Sequence, residues 1–142
     1  MPIHFPVAPG TILLCDYRGF RAPEMVKRRP VVVISPRLPH RDMLCSVVPL
    51  STTAPSKDLP YVCRLDLPIA LPAPFDTERV CWAKADMVAT VSFSRLDLFR
   101  TARDFSGKRR YLRPRLPDED LRRVRAAVLH GLGLGSLTAG LK

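Results

Sequence analysis

Proline stands at 15 of the 142 positions, about twice its usual ~5% share, and the prolines lie scattered between apolar runs. Each proline fixes its own φ and brings no N–H donor, so it interrupts helices and sheet ladders alike. What such a chain can build is a set of short strands joined by stiff loops. Its length suits one domain spanning residues 1–142. At that size about 68–70% of the unfolded chain's surface is buried on folding, so a core needs no staples. With 46% hydrophobic residues the composition excludes wholesale disorder. No apolar run nears the ~18 residues of a membrane span, so no membrane association is expected. The opening MPIHFPVAPG has neither a basic n-region nor an unbroken apolar stretch, which argues against secretion and sets the cytoplasm as the expected address.

The first half reads as strands. Residues 11–17 (TILLCDY) form a short apolar run entered through Pro9-Gly10. Residues 31–35 (VVVIS) are β-branched and continuous, as in a strand buried on both faces. Residues 43–50 (MLCSVVPL) follow a proline-bounded hairpin connection. Residues 59–67 alternate in part, and residues 80–91 supply the longest strand-like run, with the single tryptophan, Trp82. The stretch 68–74 (PIALPAP) is too rich in proline for a central strand and reads as a rigid loop.

The last third changes period. Leu121, Val124, Val128 and Leu132 recur at helical spacing, with Ala127 and Leu129 filling the stripe. Asp118, Glu119 and Asp120 occupy the first turn, where the helix dipole favours anions, and Gly131 is a natural stop. The GLGLGS that follows has neither strand before it nor helix after it, so it reads as a cap and tail and not as a nucleotide loop. A weaker helical turn is expected from Ser94, whose hydroxyl would cap residues 95–98. These elements sum to a mainly β fold, a strongly curved antiparallel sheet or barrel with a C-terminal α-helix.

Charge narrows the partners. The chain has 23 Lys and Arg against 13 Asp and Glu, a net +10, which suits either nucleic acid or an acidic protein, or a plainly solvated basic surface. The densest basic run, residues 107–115 (GKRRYLRPR), reads first as a solvated face. Tyr111 within it keeps base stacking open as an alternative. Cys15, Cys45, Cys63 and Cys81 show no CxxC spacing and sit in or beside apolar runs, as buried small hydrophobes do. His4, His40 and His130 are dispersed. No metal site and no cofactor is expected.

Four successive stretches resemble the MazF/PemK family of toxin endoribonucleases: PGTILLCDY (9–17), KRRPVVVISP (27–36), LCSVVPLSTT (44–53) and WAKADMV (82–88). The resemblance extends over about residues 9–132, and the layout is most like the PemK branch, with extra residues around 68–78 and 105–115. It implies an SH3-like barrel of short antiparallel strands with appended helices, a homodimer, and an acidic antitoxin as partner. It also implies metal-independent cleavage of single-stranded RNA to a 2′,3′-cyclic phosphate and a 5′-hydroxyl. That reaction needs a base for the 2′-hydroxyl, donors on the phosphoryl oxygens, and an acid for the leaving oxygen.

The matching positions supply candidates for each role. Arg29, before Pro30 at the mouth of a strand, takes the family's Arg-Pro position, and its fork suits a phosphate. Thr52 takes the polar strand-end position, with Ser51 and Thr53 flanking it and the register open by one. Asp86 and Lys84 take the family's Arg-x-Asp acid–base pair, and two residues apart on a strand they would share a face. Lysine here replaces arginine, so it keeps the charge and loses the bidentate grip. Glu24 matches a loop glutamate, while the loop histidine of some PemK members has no counterpart beside it. Lys27, Arg28, Glu24, Ser51 and Thr53 complete the expected RNA contacts. The competing readings are a catalytically silent RNA- or protein-binding barrel and a CcdB-like gyrase poison. The poison is expected to act through a tryptophan near the C-terminus, and here Trp82 lies far from it.

Overall fold

Strand β3 (Leu44–Ser51) organises the sheet, because three other strands pair with it. One edge carries β2 (Arg29–Val33), in the register Val31↔Pro49 to Val33↔Val47. Along the other edge, β6 (Ala89–Ser92) covers the first half of β3 and β5 (Val80–Lys84) covers its end. The sheet extends outward through β4 (Val62–Asp66) on β5, and through β1 (Ile12–Cys15) and β7 (Leu96–Asp97) beyond β2. Every named-strand pairing is antiparallel. The computed structural model describes residues 2–75, 78–101 and 104–140.

Side chains of the central strands alternate between two cores. Ile12, Leu14, Val32, Val48 and Leu50 face one, and Leu13, Cys15, Val31, Val33, Cys45 and Val47 face the other. This is why VVV is apolar without alternation: both sides of β2 are covered. The first core is closed by α1 (Asp118–Gly131), which contributes Val124, Ala127 and Val128. The second is closed by Ile3, Tyr17, Phe93 and Leu96. The expected fold class, a mainly β antiparallel sheet with one C-terminal helix, is the fold observed.

Three arginines tie α1 down. Arg125 donates two hydrogen bonds to the carbonyl of Ile34 (3.0 and 2.7 Å), Arg123 donates to that of Arg64 (2.9 Å), and Arg115, just before the helix, donates to Pro9 (3.0 Å). These bonds satisfy carbonyls just past β2, on the open edge of β4 and in the turn into β1. At its far end α1 lies on the turn between β5 and β6. A Cβ on Gly131 would stand 3.0 Å from the Asp86 Cα, so a larger residue here would press on that turn.

Two local expectations are corrected. The run 80–91 is not one strand: a 3-10 turn, Ala85–Met87, separates β5 from β6. Both strands pair on the same edge of β3 but with opposite halves of it, so the chain must bend between them. The Ala85 amide carries the β4–β5 ladder one step past Lys84, bonding the Tyr61 carbonyl at 3.0 Å before the chain turns. The helical turn near Ser94 begins earlier than expected, as a 3-10 turn over Phe93–Arg95 capped by the Ser92 hydroxyl on the Ser94 amide (3.1 Å). Beyond Gly131 the glycine-rich tail forms a short 3-10 helix, Gly135–Gly140. The basic run contributes β9 (Tyr111–Leu112), which pairs with β8 (Phe99–Arg100) in a separate ribbon. No helix among the described residues is long and apolar enough to cross a membrane.

Candidate functional site

Arg29 opens β2 opposite Cys15 of β1, and the β2–β3 register carried two residues on sets it against Ser51. Both line a cleft of about 160 Å³ together with Thr52, Glu78 and Phe75. Half-buried between its neighbours, Arg29 has a buried Nε with no hydrogen-bond partner among the described residues. A folded chain rarely leaves a buried donor unused, since the lost solvation costs about 1–3 kcal/mol. Ser51 is buried and its hydroxyl accepts the Thr53 amide at 3.1 Å, which closes the turn after β3. Thr52 is exposed on the cleft wall, and Thr53 does not line it. Ser51 and Thr52 both border the cleft, and with the Ser51 hydroxyl engaged by the Thr53 amide, Thr52 is the exposed one of the two.

The two expected carboxylates lie elsewhere. Asp86 sits on the 3-10 turn and so shares no strand face with Lys84, which ends β5. With Glu24, Asp86 lines a second cleft, of about 390 Å³, walled by Phe20, Met25 and Met87. The loop that carries Glu24 is anchored at its base. Arg95 donates to the carbonyls of Asp16 (2.9 Å) and Arg18 (2.6 Å) and stacks over Phe20 at 5.0 Å. Phe20 in turn meets Tyr17 edge-on at 5.2 Å. The Asp16 carboxylate takes the Arg18 amide (2.9 Å) and its Nε (2.8 Å), contacts that hold its pKa below the usual value. The acidic-aromatic end of the first strand therefore shapes this loop. Lys27, Thr53 and Lys84 line neither cleft, and Arg28 walls a third with Arg100 and Arg109.

The cysteines are free and buried. Burial pushes the thiol of Cys15 up to about 12, Cys45 to about 11 and Cys81 to about 12, and it raises Cys63 as well. At neutral pH these are protonated thiols, which neither attack nor ligate. Among the described residues no group of three or more His, Cys, Asp or Glu could hold a metal ion.

Two residues of the Arg29 cleft escaped the sequence reading, Glu78 and Phe75. Both lie at the end of the proline-rich loop, where no alternation or motif marks them. Their only signal was position, close before a strand that pairs with the end of β3.

Comparison with known proteins now decides the family. Residues 8–132 match the PemK-like, MazF-like toxins of type II toxin–antitoxin systems. The chain belongs to this family. Among its relatives is the Escherichia coli (strain K12) protein YifN, 32% identical over 155 residues, covering 96% of this chain and 99% of that one. A mycobacterial endoribonuclease solved in complex with its cognate antitoxin shares the fold, with a TM-score of 0.59 at 19% identity over 91% of this chain and 97% of that one. The Mycobacterium tuberculosis toxin MazF-mt6 is similar too, with a TM-score of 0.56 at 17% identity over 87% and 97% of the two chains. In this PemK/MazF-type chain, Arg29-Pro30 opens β2 and Ser51 ends the adjoining β3, with Thr52 just beyond it.

Proposed function

We propose that this protein is the toxin of a type II toxin–antitoxin pair, an endoribonuclease that cuts single-stranded RNA without a metal ion. One observation carries the reading: the Arg29 guanidinium, whose buried Nε has no partner among the described residues, shares a cleft with the exposed Thr52. Together they offer a phosphoryl group charge-assisted and neutral donors from two rigid strands. The 2′-oxygen bonds to phosphorus as the P–O5′ bond breaks, leaving a 2′,3′-cyclic phosphate. The proton from the 2′-hydroxyl passes to a carboxylate, and the 5′-oxygen takes a proton from an acid. By family position these roles fall to Asp86 and Lys84. Lys84 stands where the family has arginine and keeps its charge without the bidentate grip.

The protein acts as a cytoplasmic homodimer, and its partner is an acidic antitoxin whose disordered tail lies across the same basic surface. Incubating the pure protein with a long unstructured RNA in excess EDTA tests the reaction. Cyclic-phosphate ends under chelation support it, whereas cleavage that needs added Mg²⁺ overturns it. The rival is a silent RNA-binding barrel, favoured by Asp86 opening into a different cleft from Arg29. Binding without any cut product would establish that rival.

A further inference from the structure

The basic run left over by this reading is folded, and folded into a particular object. Beyond the β8–β9 pairs Phe99↔Leu112 and Arg100↔Tyr111, the ribbon continues: the Thr101 amide bonds the Arg110 carbonyl (2.8 Å) and the Arg110 amide bonds the Thr101 hydroxyl (3.0 Å). Its tip is a closed turn. The Asp104 carboxylate accepts from the Ser106 amide (2.9 Å), the Ser106 hydroxyl (2.6 Å) and the Lys108 amide (3.0 Å), while Gly107 takes the φ of +82° that the turn requires. The tip's one carboxylate is thus spent on the turn, and the basic groups are held outward.

What the ribbon displays is unusual for a solvated hairpin. Phe105 at its tip is fully exposed, and Tyr111 at its base is 56% exposed with the Arg100 guanidinium 5.6 Å over its ring. An open Phe105 ring, and a Tyr111 ring with Arg100 on one face, standing among Lys108, Arg109 and Arg110 match the pattern by which proteins hold single strands, bases on rings and phosphates on cations. Arg100 and Arg109 also wall a cleft of about 310 Å³ with Arg28, Phe75 and Asp97, whose carboxylate pairs with Arg100 at 3.5 Å. Phe75 is shared with the Arg29 cleft, so the two clefts adjoin.

We propose that the β8–β9 hairpin is a second binding surface for single-stranded RNA, receiving the strand that flanks the phosphate held at Arg29. This deepens the nuclease reading and rests on it for the course of the strand. Bases stack on Phe105 and Tyr111, phosphates meet Arg109 and Arg100, and the strand passes Phe75 to reach Arg29. Flat faces alternating with cations, in line with the cleft, favour RNA over an acidic peptide, whose carboxylates would use the arginines and leave the rings idle.

Fluorescence anisotropy tests this with a labelled, unstructured 2′-O-methyl RNA of about 16 nucleotides, the upper end of single-strand site sizes, which cannot be cut by 2′-attack. Phe105→Ala should weaken binding by about fivefold or more, and its ring supports nothing in the fold. Arg109→Ala should lower the slope of log K against log salt by about 0.7, the share of one phosphate on a single strand. Arg122→Ala, an equal loss of charge on the exposed side of α1, is the control. Arm variants that bind like the control overturn the proposal. So does Phe105-dependent binding of a polyglutamate probe with RNA binding unchanged, because the arm would then serve a protein. Cleavage of ordinary RNA is scored separately. Arm-dependent binding without cleavage removes the nuclease reading alone, and cleavage with arm-independent binding removes the arm alone.

Discussion

Replacing Arg29 by methionine should disable the protein and stabilise it at once. The buried Nε has no partner among the described residues, and such a donor costs about 1–3 kcal/mol relative to a satisfied or absent one. Because the residue as a whole is only half-buried, part of the guanidinium keeps its water, and the lower end applies: a gain of about 1 kcal/mol. Methionine preserves the length and flexibility of the aliphatic stem beside Pro30 and Leu50, so little packing is lost. Urea unfolding would read this as a higher midpoint at unchanged slope, and thermal unfolding as a rise of about 3–4 °C. Cleavage should fall by about 10²–10³-fold, the usual loss when a donor to developing phosphoryl charge is removed. Arg29→Lys should recover part of the rate, since it restores charge without the fork. An arginine holding the strand together would behave oppositely. A stability lowered by more than about 1 kcal/mol, or near-normal cleavage in the folded variant, would refute the reasoning.

The proton-transfer step separates by paired variants: Asp86→Asn should lower kcat/KM by about 10²-fold or more and Glu78→Gln by less than about tenfold. The reverse ranking moves the base to Glu78, in the Arg29 cleft. Gly131→Ala gains about 0.8–1 kcal/mol of helix propensity but sets a Cβ 3.0 Å from the Asp86 Cα, so overpacking should win by about 1 kcal/mol. The variant should melt lower and cut more slowly; a more stable, equally active protein would show that the turn carrying Asp86 yields freely. The raised thiol pKa values make stability depend on alkali. Folded thiols stay protonated while unfolded ones ionise near 9, so stability is full below about pH 9 and declines toward 11–12. Urea midpoints at pH 7, 9 and 10 should fall in that order, and Cys15→Ser should flatten the fall.

The strands were legible because burial on two faces leaves a plain mark, a continuous β-branched run at residues 31–33 between Pro30 and Ser35. Helix α1 was legible for the opposite reason, since one covered face leaves a 3.6-residue stripe and an acidic first turn. What the run 80–91 concealed was a bend. Val80 to Lys84 and Ala89 to Ser92 are each good strands, and no proline or glycine lies between them. The break at residues 85–87 is dictated by β3, which accepts the two segments at different halves of one edge. Tertiary pairing overrode local pattern there, and it carried Asp86 off the strand face on which spacing had placed it.

The same physics divides the candidate site. Arg29 and Ser51 face each other because a register of central strands sets them there, and a slip of one residue would turn Val31, Val32 and Val33 inside out. Residues placed in this way sit at positions that short motifs such as Arg29-Pro30 and Ser51-Thr52 mark in the sequence. Glu78, Glu24 and Asp86 are placed by loops and a turn, whose course follows from contacts distant in sequence. For Asp86 that contact is Gly131 at the end of α1; for the Glu24 loop it is Arg95. Under the proposed reaction, Arg29 holds phosphate from the end of a strand and Asp86 takes the proton from a turn, which makes the first grip rigid and the second adjustable. Changes in the loops should therefore alter which RNA is cut and how fast, while leaving the grip on phosphate intact.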